Sequence, residues 1–320
     1  MSKILFRGNG GLGKIIAMTG VVRQFRNENP KCRVHVMSPY PDVWANLDFV
    51  EKFYPTPTQN AILTDFYDNH EDFDVIDVEP YIDLAYRQGK EHLIETWCRR
   101  AGLASPVLKR GTLMLSHQER NWAIQAFQHM NLGKTRLVAF QPFGGTPYSS
   151  AELALDPTRT KQVRDLTVEK AQEIVDLLNQ RNCTVLQISL QTEPQLRNTV
   201  KLPVPQNQVM SPRYIFALLE MCSGLIAVDS FAQHAWAALE RQNSVVLWGA
   251  TNPANLGYSS SINMEVKDSC VNLHCNRPVT HLYDMTGDGK SWNCPYNGKC
   301  MGFNAEEVVR NIISKIGEQQ

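Results

Sequence analysis

Short apolar runs alternate with helix-length amphipathic segments from one end of this chain to the other, and that alternation limits its fold more than any other feature. Lys3–Phe6 reads as a strand, and Ile15–Phe25 as a helix with Ile15, Ile16, Met18, Thr19, Val22 and Phe25 on one stripe. Arg33–Met37 and Phe73–Val78 read as further strands, Glu91–Ala101 as a helix, Thr112–Leu115 as a fourth strand and His117–Met130 as a helix. The order then starts again: strand 136–141, helix 168–180, strand 184–190, helix 212–221, strand 225–228, a helix opened by Asp229 and Ser230, and strand 245–248. Ser211 caps helix 212–221 with Pro212 at its first position, and Asn304 with Glu307 opens the last helix as a capping-box-like pair. Strands alternating with helices build parallel sheets covered by helices. Two such runs predict two Rossmann-like domains, residues 1–133 and 134–303, followed by a C-terminal helix in 304–320. The 320 residues, 43% of them hydrophobic, suffice for both cores.

Charge and targeting signals narrow the function. Thirty-two Lys and Arg balance thirty-two Asp and Glu, so no general basic field exists to grip nucleic acid. Arg99-Arg100 and Lys109-Arg110 are only local basic patches. The opening MSKILFRGNGG carries no signal-peptide pattern, and no apolar run approaches a membrane span. The expectation is a cytoplasmic protein without stable membrane insertion, in which disulfides are disfavoured. Residues 144–161 are rich in Gly, Pro and Ser and read as a long loop.

The turn after the first strand, Gly8-Asn9-Gly10-Gly11-Leu12-Gly13-Lys14-Ile15, admits three readings. It fits the dinucleotide pattern G-x-G-x-x-G, which wants an acidic residue after the second strand; Asp42 comes somewhat late for it. It fits most of a P-loop, but Ile15 stands where a hydroxyl would hold Mg²⁺. The third reading is a tight turn bringing Gly10, Gly11, Gly13 and a helix start up to a ligand held between two domains.

The segment 225–239, LIAVDSFAQHAWAAL, places a buried strand directly before a helix start. Asp229 and Ser230 are helix-starting residues, and such a start offers N–H groups and a partial positive charge to an anion. His234, one turn in, can face the same spot as Ser230. An ordinary capped helix with a solvated His is the plainer alternative. The next strand ends in Gly249-Ala250-Thr251-Asn252-Pro253, a second loop at the same sheet edge, where α/β proteins bind ligands.

Taken together these segments resemble the family 9 glycosyltransferases, the ADP-heptose:lipopolysaccharide heptosyltransferases, along nearly the whole chain. FRGNGGLGKIIAMTGVVRQFRNENPKCRVHVM is similar to the family's first strand, glycine turn, helix and second strand. VDSFAQHAWAAL resembles its Asp-Ser/Thr-Gly-x-x-His helix start, which cradles the donor diphosphate, and VVLWGATNPANLG its Phe-Gly-x-Thr-Asp-Pro segment. CMGFNAEEVVRNI is similar to its closing Cys-Met and helix. The resemblance implies a GT-B fold with the donor on the C-terminal domain, and an inverting transfer from a nucleoside-diphosphate sugar without an obligatory metal. It implies Glu193 on the donor ribose, Lys161 on the phosphates, Asp229, Ser230 and His234 around the diphosphate, and Thr251 and Asn252 along the nucleotide or sugar seat.

Two departures bear on catalysis. Phe231 stands where the family has Gly. Lys14 stands where it has Asp, its proposed general base. Asp77, Glu79 and Asp83, after strand 73–78, are the carboxylates that can replace it, with Lys14 itself turned to the leaving phosphate. The acceptor is open between a glycan or glycolipid, a protein side chain and a modified DNA base, and the transferred sugar between hexose, heptose and pentose. A non-catalytic sugar-nucleotide binder is the alternative that Lys14 motivates. An NAD-dependent oxidoreductase or an ATPase would rest on the glycine turn alone.

Four of the eight cysteines, Cys270, Cys275, Cys294 and Cys300, fall in one segment rich in Gly, Asn and Asp. Four thiolates can hold structural zinc or iron, with His274 and His281 as substitutes. The gaps are wider than the usual two-residue knuckle, so plain structural thiols and disulfides stay open. Cys32, Cys98, Cys183 and Cys222 read as core.

Overall fold

The computed structural model describes residues 3–56, 73–130, 136–144, 164–189, 193–201, 210–270, 273–275, 296 and 298–317. Its nine described strands form two all-parallel sheets. The first has the order β3-β2-β1-β4, from β1 (Lys3–Arg7), β2 (Arg33–Ser38), β3 (Lys52–Pro55) and β4 (Phe73–Ile76). The second has the order β6-β5-β7-β8-β9, from β5 (Arg136–Gln141), β6 (Cys183–Gln187), β7 (Gly224–Val228), β8 (Ser244–Trp248) and β9 (Ser261–Glu265). Central strands β7 and β8 are buried at every residue, the pattern of a sheet covered on both faces.

The helices are α1 (Leu12–Glu28), the single turn α2 (Leu84–Arg87), α3 (Leu93–Arg100), α4 (His117–His129), α5 (Val168–Gln180), α6 (Pro212–Met221), α7 (Phe231–Ala238), the single turn α8 (Pro253–Leu256) and α9 (Ala305–Gly317). Helix α6 starts as its sequence predicts, with the Ser211 hydroxyl accepting from Arg213 N–H and Pro212 in the first turn. Asn304 likewise accepts from Glu307 N–H at 3.0 Å at the head of α9. Val308, Val309, Ile312 and Ile316 of α9 are buried in the core of the second sheet with Ile174 and Leu178 of α5.

The two sheets share a core. One continuous cluster holds Phe6, Ile16 and Val22 from the first unit together with Leu225, Trp236 and Trp248 from the second. Helix α1 packs on α7, and α4 on α6. The second contact is locked by Arg213, which is 5% exposed. Its guanidinium bonds both oxygens of Glu119, at 2.6 and 2.7 Å, and donates to the carbonyls of Asp42 and Ala45. Arg120 and Glu220 add a second ion pair between α4 and α6, at 2.7 Å.

The structure differs from the sequence reading in several places. Thr112–Leu115 is not a strand. Leu113 and Leu115 are buried, but Thr112 N–H bonds the Thr19 hydroxyl at 2.7 Å and Leu113 N–H the Ala238 carbonyl, so this stretch runs as coil between α1 and α7. Strand β4 stops at Ile76, and β6 ends at Gln187. Edge strands β3 and β9 had no strand prediction. The expected seam near 132–135 lies outside the described residues. No helix among the described residues is long and apolar enough to cross a membrane.

Candidate functional site

The segments that follow the carboxyl ends of β1, β4, β5, β7 and β8 lie against one another, at the edge where parallel sheets present loops to ligands. After β1, Gly10 takes φ +110°, a left-handed conformation that side chains disfavour, and Gly11 stands at the N-cap of α1. Gly13 has a different reason to be glycine. A β-carbon there would lie 2.6 Å from His234 Cδ2 and 3.3 Å from the Cα of Phe231. The first turn of α1 therefore presses directly on the first turn of α7. Phe231, the departure from the family's Gly, is part of that contact.

Neither helix start carries a side-chain cap. Gly11 has no side chain to give, and the Ser230 hydroxyl makes no capping bond, contrary to the expectation that it would. The Asp229 carboxylate turns instead to the side-chain amide of Gln233, which donates to Oδ1 at 3.0 Å. Its Oδ2 is buried with no hydrogen-bond partner, 3.5 Å from an Arg164 guanidinium nitrogen. Arg164 Nε donates to the Asp229 carbonyl at 2.7 Å. The Gln141 side chain, at the end of β5, accepts from Ala232 N–H at 3.2 Å and takes one donor of the first turn of α7.

His234 is buried, not solvated, and its Nδ1 lies 2.7 Å from the Tyr258 hydroxyl. Burial pushes its imidazole down to about 4, with Asp229 pulling up and Arg164 adding to the depression, so the ring is neutral near pH 7. Burial likewise pushes the Tyr258 phenol up.

On the opposite wall, Lys14 is buried. Its ammonium lies 2.6 Å from Glu79 Oε2, over the ring of Tyr81 at 4.6 Å and near that of Trp97 at 5.5 Å. Glu79 Oε1 accepts from Tyr81 N–H at 3.1 Å, so the carboxylate is oriented on both oxygens while the side chain stays half-exposed. The other two carboxylates differ. Asp77 pairs with Arg7 at 2.9 Å, both half-exposed. Asp83 caps α2 through Ala85 N–H and holds Arg99 and Arg100. Burial pushes the Tyr81 phenol up, and the negative charges of Asp229 and Glu79 add to that shift.

The remaining predicted residues fall into two groups. Thr251 is buried at the end of β8, and Asn252 caps α8 through Ala254 N–H at 2.8 Å. Asn255, absent from the sequence prediction, donates to the carbonyls of Tyr86 and Glu91 and ties this loop to the opposite wall. Glu193 is half-buried in the loop after β6, which the Gln187 side chain holds through Leu196 N–H and the Pro194 carbonyl. Lys161 lies outside the described residues; Arg164, three residues on, is the cation that stands beside Asp229. The resemblance implies a basic residue in this loop without setting its register.

The cysteine set is incomplete here. Cys270 and Cys275 are half-buried and Cys300 is buried, while Cys294 and His281 lie outside the described residues. Among the described residues no three His, Cys, Asp or Glu side chains converge to hold a metal ion. His274, a candidate substitute ligand, pairs with Glu265. Cys98, Cys183 and Cys222 are core, as expected, with burial pushing the Cys98 and Cys222 thiols up to about 12; Cys32 is half-buried.

No protein-family profile and no curated protein sequence matches the chain. Solved structures do. A glycosyl transferase family 9 protein from Veillonella parvula superposes with a TM-score of 0.70 at 12% identity, over 99% of this chain and 98% of that one. The ADP-heptose lipopolysaccharide heptosyltransferase II of E. coli gives 0.63 at 13% identity, over 99% of each chain. The iron-containing dodecameric glycosyltransferase TibC of enterotoxigenic E. coli gives 0.63 at 13% identity, over 99% of this chain and 76% of that one. The fold is GT-B, as the resemblance implied.

Proposed function

We propose that this chain is an inverting, heptosyltransferase-like glycosyltransferase that moves a sugar from a nucleoside-diphosphate sugar to an acceptor hydroxyl. One observation carries the reading: two helix starts whose own N-cap residues make no capping bond, those of α1 and α7, meet beside Lys14 and Arg164. Two converging positive helix ends favour an anionic ligand, and Lys14 and Arg164, each paired with one carboxylate, stand beside them. The proteins of similar fold bear the names of ADP-heptose transferases, which favours an adenosine diphosphate donor. In this reading residues 134–303 form the donor side, residues 1–133 the acceptor side, and Glu193 takes the ribose.

The chemistry is a single in-line displacement. Glu79 takes the proton of the acceptor hydroxyl, whose oxygen bonds to the anomeric carbon as the bond to the diphosphate oxygen breaks. The nucleoside diphosphate departs with that electron pair. The α7 start, His234, Arg164 and Lys14 meet the growing charge, and donors already in place need no reorganisation at that moment. Of the three candidate bases, Asp83 is committed to its cap and to two arginines, and Asp77 to Arg7. Glu79 alone lies against Lys14, where the family has its Asp. That carboxylate also counts against the non-catalytic alternative, which rested on Lys14. The acceptor is a glycan, glycolipid, protein side chain or modified base.

A thermal-shift panel of ADP, UDP, GDP and CDP, their sugar conjugates, NAD and ATP–Mg²⁺ tests this. A ligand at a hundred times its dissociation constant adds about 2.7 kcal/mol of stability. A shift with one nucleoside diphosphate and its conjugate, without metal, is the expected result. A shift with NAD alone, or ATP–Mg²⁺ alone, overturns it. The set Cys270, Cys275, Cys294 and Cys300 is proposed as a separate structural iron or zinc site, and no step of the transfer runs through it. Elemental analysis of protein purified without chelator decides that.

A further inference from the structure

The geometry points to Tyr258 as a positioning residue that fixes the tautomer of His234, so that Nε2 carries the proton and faces the diphosphate seat as a neutral donor. This inference rests on the donor site proposed above and adds a residue to it.

Tyr258 lies between α8 and β9 and is 5% exposed. Its hydroxyl and His234 Nδ1 are 2.7 Å apart, with the rings edge to face at 86°. A buried phenol O–H needs an acceptor, and among the described residues Nδ1 is the one within reach. The phenol is the stronger acid of the pair, so it donates and Nδ1 accepts. In a neutral imidazole the proton then sits on Nε2. The reverse arrangement would leave the phenol proton without a partner and place a lone pair on Nε2.

The other edge of the ring settles where that proton points. Cδ2 and Nε2 look toward Gly13, at 2.6 and 3.3 Å from where its β-carbon would be. Both helix starts meet there. A lone pair at that spot would repel a phosphate oxygen, whereas an N–H would bind it. Tyr258 packs against the ring, with His92 behind the phenol at 5.5 Å between ring centroids, and the charges of Asp229 and Arg164 reach it. The Nδ1 of His92 accepts from Ile94 N–H, so that ring too is fixed as its Nε2–H form. The division of labour follows: Arg164, Lys14 and the helix ends supply charge, and His234 supplies direction.

Nitrogen-15 spectra of histidine-labelled protein read the tautomer directly, with the His234 signals assigned by their loss in His234→Gln. The unmodified protein is expected to show a bare Nδ1 and a protonated Nε2, the latter shifting when ADP, or the nucleoside diphosphate found in the panel, is added. Tyr258→Phe is expected to give a mixture of tautomers and to weaken that binding about tenfold. His234→Gln, which keeps an N–H donor near the position of Nε2, is expected to bind better than His234→Ala. A bare Nε2 in the unmodified protein, or an unchanged tautomer in Tyr258→Phe, overturns the inference while leaving the donor site intact. No binding of any nucleoside diphosphate to the unmodified protein overturns the donor site itself.

Discussion

Lys14 Nζ lies 2.6 Å from Glu79 Oε2, joining the helix that follows the glycine turn to the loop that follows β4. The pair places a carboxylate beside the position where the resemblance leads one to expect an aspartate. Glu79→Gln is therefore expected to lower turnover by about 10²–10⁴ while leaving nucleoside-diphosphate binding in place. Asp77→Asn is expected to change turnover little. Equal losses in the two variants, measured under donor saturation, would remove Glu79 from its assigned role.

Arg164→Ala removes the cation beside Asp229 and leaves a buried carboxylate oxygen with less compensation. Nucleoside-diphosphate affinity is expected to fall roughly tenfold or more, the scale of a hydrogen bond to a charged group. Calorimetric titration checks it, and unchanged affinity would place the diphosphate elsewhere.

Gly13→Ala forces a methyl group into His234 and the backbone of Phe231. Overpacking of this kind costs about 1–3 kcal/mol. Urea denaturation should show that loss, and donor affinity should fall with it, because the helix starts are pushed apart. Gly11→Ala, where a β-carbon meets nothing within 4 Å, serves as the control.

Arg213→Met leaves Glu119 and the carbonyls of Asp42, Ala45 and Met114 without this donor, and loss of one partner of a buried pair costs about 3–5 kcal/mol. Acid unfolding gives a second readout. The Arg213 guanidinium holds the Glu119 carboxyl down at about 2, against 4.5 in the unfolded chain. A depressed carboxylate contributes stability that is complete above the unfolded value and is lost as pH falls from about 4.5 to about 2. That loss should be smaller in the variant, where only the bonds from Ser116 still favour the carboxylate.

His92 and His234 titrate at about 4 when folded, against 6.5 when unfolded, because burial disfavours their charged forms. The unfolded chain therefore binds protons first, and stability should fall as pH drops from 6.5 toward 4. Urea midpoints at pH 7 and 5 measure it. His92→Gln should flatten the slope, and an unchanged slope would mean that the ring is already charged in the folded protein.

The parallel αβ alternation was legible because strands such as β7 and β8 are apolar throughout and are bounded by clear helix starts. The edge strands β3 and β9 were not, since KFYP and SINME bury no continuous face. The stretch 112–115 misled for the opposite reason: Leu113 and Leu115 alternate like a strand, but their burial comes from the groove between two helices rather than from a sheet. The placement of the glycine turn, Asp229 and His234 at two helix starts was readable from spacing. The roles of Glu79 and Asp83 were not, because sequence shows two loop carboxylates four residues apart and only folding shows that one meets Lys14 and the other two arginines. Tyr258 and Arg164 act through partners distant in sequence, and local pattern is silent about those.

The contact between Gly13 and His234 also has an evolutionary side. The two positions lie in different halves of the chain, yet each sets what the other can become. Gly13 sits within a helix, where local backbone preference alone would favour alanine. A descendant with a smaller side chain at 234 would free position 13 to drift, and one that retains the imidazole would not. The substitutions tolerated at 13 are thus inherited from the identity of 234, and the two should covary among homologues that keep this contact.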